Sequence, residues 1–125
     1  MTTGLDYERV LARCLAYPGA WKDEPWGDGV VVTKVDKKIF AFVWDDSVGV
    51  KCGDTRDEAD IWLSRYPDDV RMMSYIGRHA WNVITVGGAV PDDEILEAIE
   101  DSYLIVAGKL AKTRRPEGWD RFSSP

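Results

Sequence analysis

Residues 30–52 read Val-Val-Val-Thr-Lys-Val-Asp-Lys-Lys-Ile-Phe-Ala-Phe-Val-Trp-Asp-Asp-Ser-Val-Gly-Val-Lys-Cys, and this stretch decides the fold. Two apolar runs, Val30–Val35 and Lys38–Trp44, are separated only by Asp36-Lys37. A third short run, Val48–Cys52, follows the pair Asp45-Asp46. β-branched and aromatic residues suit a pleated surface, and aspartates between the runs suit tight turns. Three strands joined in this way predict an antiparallel meander. Strict alternation in the middle strand puts Ile39, Ala41 and Val43 on one face and Phe40, Phe42 and Trp44 on the other. Both faces are apolar, so this strand is expected to be central in its sheet.

Helices are expected on either side of the meander. From Leu5 to Ala16, Tyr7, Val10, Leu11, Cys14 and Leu15 recur at helical spacing, with Thr3 and Asp6 placed as a capping box. Residues 17–29 are rich in Pro, Gly and Asp and are read as a loop. Thr55-Arg56-Asp57-Glu58 is a second capping box, opening a helix that runs to about Tyr66 and stops before Pro67. Arg71–Ile76 is a further candidate strand, Trp81–Val86 a clearer one, and a last helix is predicted from Pro91 to Lys112. The order is α-β-β-β-α-(β)-β-α, an α+β domain with four to five strands packed on helices. It spans residues 1–112, followed by a polar tail at 113–125 that Trp119 and Phe122 can dock back.

At 125 residues the chain is long enough to bury a core of ordinary size. The N-terminus shows no export signal and no run approaches the ~18 apolar residues of a membrane span. A cytoplasmic, monomeric protein is expected. Two cysteines, Cys14 and Cys52, lie far apart and form no metal-binding pattern with the single histidine, so free thiols and no metal or other cofactor are expected.

Catalytic machinery is hard to place. His79, the only histidine, falls in a polar loop before a strand. Cys14 lies on an apolar helix face, where cysteine behaves as a small hydrophobe. The acidic pairs Asp45-Asp46 and Asp68-Asp69 occupy turns, and Asp92-Asp93-Glu94 opens a helix, all positions that favour carboxylates locally. No glycine-rich phosphate loop occurs. The reading is therefore of a non-enzymatic binding module.

Charge gives a partial direction. The chain has 16 basic and 22 acidic residues, a net charge of −6 that opposes a phosphate backbone unless the bases are gathered on one face. Residues 92–101 hold six acids and no base, while 109–115 hold Lys109, Lys112, Arg114 and Arg115 and no acid. Acids at the start of a helix and bases at its end is the order the helix dipole prefers. A second basic group, Lys34, Lys37, Lys38 and Lys51, surrounds the first hairpin, with Arg78 and His79 able to join it.

The punctuation of the chain resembles the MmcQ/YjbR family over roughly residues 5–112. The matching pieces are Leu15-Ala16-Tyr17-Pro18-Gly19-Ala20, Pro25-Trp26-Gly27, Lys38-Ile39-Phe40-Ala41, the strand ending at Lys51 and Trp81-Asn82-Val83. Val90-Pro91-Asp92-Asp93-Glu94 and Asp101-Ser102-Tyr103-Leu104-Ile105-Val106 complete the match. The resemblance implies a CyaY-like fold, a twisted antiparallel sheet with helices on one side, and DNA binding through β-hairpin wings. It matches Lys38 and Lys51 to the family's strand lysines, and Trp26 and Trp81 to its aromatic positions. Lys37, Lys38, Lys51, Arg78 and Trp81 are the expected nucleic-acid contacts, chiefly to phosphate, with Trp26 as a surface aromatic. The alternative reading is a protein-interaction or regulatory domain using exposed tryptophan and an acidic helix face. A third is a small-molecule pocket or enzyme site in the loop around Trp21 and Trp26.

Overall fold

The computed structural model describes residues 4–27 and 29–121. Three helices, α1 (Tyr7–Leu15), α2 (Arg56–Arg65) and α3 (Asp92–Gly108), pack on a six-stranded sheet. The strands are β1 (Ala20–Asp23), β2 (Val31–Val35), β3 (Lys38–Val43), β4 (Ser47–Lys51), β5 (Val70–Met72) and β6 (Trp81–Thr85). Their spatial order is β1-β2-β3-β4-β6-β5, and every neighbouring pair is antiparallel. The expected meander is β2-β3-β4. The sheet has one strand more than the expected upper count, because Ala20–Asp23 pairs with β2 (Ala20↔Val35 to Asp23↔Val32) where a loop was expected.

The middle strand departs from strict alternation. Thr33 pairs with Ala41 and Lys34 with Ile39, so Phe40 is an extra residue on β3. Such a bulge turns two successive side chains to one face. Phe40, Ala41 and Val43 accordingly join the core under the helices, while Ile39, Phe42 and Trp44 lie on the opposite face. The expected placement of Ile39 and Phe40 is thereby reversed. The bulge displaces backbone polar groups from the ladder, and Ser102 on α3 meets them. Its Oγ donates to Phe40 O (2.6 Å) and accepts from Lys51 N (2.9 Å).

The main core lies between sheet and helices, with Val10 and Cys14 from α1 and Ile95, Ile99 and Tyr103 from α3 among its fully buried side chains. Tyr103 stacks on Tyr17, meets Phe40 edge-on and donates to Pro18 O (2.6 Å), which anchors the turn into β1. α2 begins as expected, with reciprocal capping by Thr55 and Glu58. α1 is capped by Asp6, whose carboxylate accepts from Arg9 N; Thr3 lies outside the described residues. α3 stops at Gly108, four residues before the expected Lys112. Arg115 donates to Gly108 O (2.7 Å) and Leu110 O (3.0 Å), satisfying carbonyls that a helix end leaves open. The same guanidinium stacks over Trp119, which packs on the core and so docks the tail. Phe122 lies outside the described residues. Among the described residues no helix is long and apolar enough to cross a membrane.

Candidate binding face at the end of the sheet

β3 begins at Lys38, β4 ends at Lys51 and β6 begins at Trp81, so antiparallel order brings these three to one end of the sheet. Lys51 and Trp81 are direct cross-strand partners. The C-terminal end of α3 adds Lys109, and these side chains line one depression of about 350 Å³ whose apolar part includes Ile39 and Leu110. Three lysines and no acid line it.

Lys51 is held in place by its surroundings. Its Nζ donates to His79 O, and its backbone N–H donates to Ser102. Partial burial and, secondarily, the nearby Lys109 charge pull its pKa below the ordinary lysine value. A site that makes its own cation less comfortable is one that an anion relieves. Lys109 meets Asp54 at 3.3 Å, but both side chains are more than 60% exposed, so this contact is a weak competitor.

The other expected contacts are arranged around this depression rather than in it. Lys37 sits in the β2–β3 turn beside Lys38. Arg78 and His79 form a single 3₁₀ turn (Gly77–His79) before Trp81, both exposed, with Arg78 Nε donating to His79 Nε2. Lys34 is committed elsewhere, to Asp23 (2.7 Å) and the Trp21 ring (5.1 Å). Of the C-terminal bases, Arg115 caps α3 and Arg114 pairs with Asp36 at 3.1 Å.

Sequence reasoning missed Arg56 and Asn82, which fix Trp81 from behind. Arg56 reaches Asp60 Oδ1 (2.8 Å), Gly77 O (2.6 Å), Trp81 O (3.3 Å) and Asn82 Oδ1 (2.5 Å). Asn82, fully buried, donates in turn to Ala59 O at 2.9 Å. Arg56 gave no signal beyond its place inside the capping box, and only a buried polar residue amid an apolar strand marked Asn82.

Trp26 lies apart, on the face of the sheet away from the helices. It stacks on Phe42 (6.3 Å between centroids, 8° between planes), which stacks on Trp44 (5.8 Å, 9°) and meets Trp81 edge-on (5.6 Å, 82°). A depression of about 420 Å³ opens beside this row, lined also by Met73, Ile76 and Arg71.

Several of the groups considered for chemistry have structural partners. Cys14 is buried and Cys52 half-buried, and desolvation pushes both thiols up to about 12. Asp69 accepts from Ala89 N, Asp92 from Leu5 N, and Glu94 from Tyr66 Oη. Among the described residues no three His, Cys, Asp or Glu side chains are grouped to hold a metal ion.

Charge is segregated between the layers. The three helices carry ten acidic and four basic residues, whereas the six strands carry five basic residues and one acidic. The helices therefore carry −6, the strands +4 and the connecting segments −4, so the strands are locally cationic.

Comparison with known proteins agrees with this architecture. No curated protein matches the sequence. The crystal structure of Deinococcus radiodurans protein DR2400, with domain DUF419, superposes with a TM-score of 0.80 at 21% sequence identity. The similarity covers 91% of this chain and 88% of that one, and at this identity it speaks for the fold. The model of the YjbR family matches residues 15–105. These span β1 through most of α3, including Lys38, Lys51 and Trp81, and the chain belongs to the YjbR family.

Proposed function

We propose that the domain is a non-enzymatic module that binds nucleic acid, DNA being the first candidate, through phosphate contacts at the end of its sheet. The observation that carries this reading is the convergence of Lys38, Lys51 and Lys109 beside Trp81 in an acid-free depression. The tip of the β2–β3 hairpin, with Lys37, supplies the projecting edge, and Arg78 flanks it from the other side. Phosphate contacts fix position without reading sequence, so weak base preference is expected. The acidity of the chain is not an obstacle in itself, because the strands carry a net positive charge while the helices carry a net negative one.

The reading has a quantitative signature. Three phosphate contacts release about 2.7 counterions, so affinity falls roughly 40-fold between ~50 and ~200 mM salt. Fluorescence anisotropy with a labelled duplex across that range measures it. Lys38→Gln and Lys51→Gln each lower affinity and flatten the salt slope by about 0.9. Absence of binding at low salt refutes the reading. Nuclease-resistant capture of a protein in place of DNA would favour the interaction-domain reading instead, using the exposed Trp26 and the acidic helix layer.

A further inference from the structure

We infer that the nucleic acid this face accepts is single-stranded, its bases stacking on Trp26 and Trp44 at the ends of the Trp26–Phe42–Trp44 row while its phosphates meet the lysines. The inference rests on the phosphate reading above and specifies the ligand of that surface.

The two depressions belong to one face. Phe42 pairs with Gly49, Gly49 with Val83 and Val83 with Arg71, giving a row across β3, β4, β6 and β5. Lys51 and Trp81 form the next same-face row, two residues along, or about 7 Å away. Ile39 and Trp81 take part in both the lysine depression and the apolar cluster of the open face, so no wall of polar side chains divides the two.

The ring row is built for flat ligands. Three rings, each within 9° of parallel to its neighbour, line one side of the 420 Å³ hollow, and Trp26 keeps 57% of its surface in water despite its stack on Phe42. That volume lies in the range of pockets that take small planar groups. Gly49 leaves room for the row: a Cβ there would come within 3.2 Å of the Trp44 ring and 3.0 Å of Met73. Tyr75 lines the same hollow with its side chain 99% exposed, on a residue held at φ 67°, a conformation that bulky side chains rarely adopt. An aromatic placed bare at the rim of an aromatic hollow adds a second stacking surface.

Charge selects an anionic ligand. The two hollows together are lined by Lys38, Lys51, Lys109 and Arg71 and by no acid, in a chain of net charge −6. A duplex keeps its bases stacked inside, so it reaches the lysines but leaves the rings empty. A single strand offers every base a π face, and stacking on aromatics is tolerant of sequence.

The test compares an oligothymidine strand with a duplex of equal length by fluorescence anisotropy at low salt. The single strand is expected to bind more tightly and to quench tryptophan emission. Trp26→Ala lowers single-strand affinity about tenfold and leaves duplex affinity unchanged. Lys51→Gln lowers both. Trp26 is exposed, so the variant is expected to fold, and an unchanged melting temperature verifies this. Equal affinity for strand and duplex, with Trp26→Ala neutral, overturns the inference and leaves the phosphate reading standing. Failure of both ligands to bind at low salt overturns the two together.

Discussion

Replacing Arg56 by alanine removes the guanidinium that ties α2 to the segment leading into Trp81. The side chain is only 19% exposed and donates to Asp60, Gly77 O, Trp81 O and Asn82 Oδ1. The two carbonyls keep a backbone donor each, Ala80 N at Gly77 and Met73 N at Trp81, so their loss is partial. Asp60 is half exposed and can return to water. The heavy loss falls on Asn82, fully buried, whose Oδ1 forfeits a charged donor at 2.5 Å. A hydrogen bond to a charged group contributes ~1.5–3 kcal/mol, and a buried acceptor left unpaired costs ~1–3 kcal/mol. With the partial losses added, the change costs about 3 kcal/mol. For 125 residues the unfolding entropy is ~0.26 kcal/mol/K, so the melting temperature should fall about 11 °C. Denaturant and thermal unfolding followed by circular dichroism measure this. Asp60→Asn, which removes only the half-exposed (i, i+4) partner, should cost about 0.5 kcal/mol. A loss below about 1 kcal/mol for Arg56→Ala would refute the reasoning, since it would mean water replaces the guanidinium at Asn82.

Three further outcomes follow from the same geometry. Ser102→Ala leaves Phe40 O and Lys51 N without their bridging hydroxyl and should destabilise the domain by about 2 kcal/mol, measured by urea unfolding. Ser102→Thr, which keeps the hydroxyl, should recover part of that loss. Cys14 and Cys52, their thiols pushed up to about 12 by burial, should react slowly with a thiol reagent at pH 8 and rapidly once unfolded. An ordinary free-thiol rate at Cys14 in the folded protein would contradict its burial. Lys51 titrates below the ordinary lysine value, mainly through desolvation, so rising pH strips its charge earlier than that of an exposed lysine. Affinity for a phosphate-bearing strand should accordingly fall as pH rises through that range, and Lys51→Arg, charged throughout, should abolish the decline.

Where the sequence was legible, the signal was local. The capping box at Thr55-Arg56-Asp57-Glu58 marked the start of α2 to the residue, because reciprocal capping needs only four adjacent positions. The meander was legible because turn residues separate three β-rich runs. β1 was not, because Ala-Trp-Lys-Asp is a short edge strand with no apolar alternation, framed by Pro18-Gly19 and Pro25. The turn leading into it is anchored by Tyr103 at Pro18 O, 85 residues distant in sequence. A period of two cannot register an inserted residue, so the bulge at Phe40 exchanged the faces of Ile39 and Phe40. Of the candidate site, Lys38, Lys51 and Trp81 are legible in the sequence through the family resemblance, and the fold brings them together. Lys109 reads in the sequence as a helix-dipole residue, because its position at the end of α3 accounts for a base there. Its meeting with Lys51 exists only once α3 has packed across β3 and β4. Arg71, in a short strand beside the ring row, became meaningful only through the register with Val83.

The central claim is that two adjoining hollows with no acid in their lining, at the sheet end and beside the aromatic row, form the binding surface. An amide and indole chemical-shift titration of the labelled protein with an oligothymidine strand tests it most directly. The account predicts that Lys38, Ile39, Lys51, Trp81 and Lys109 shift together with the Trp26 indole, while α1 and the acidic first turns of α3 stay still. Shifts confined to the helix layer, or none at low salt, would contradict it.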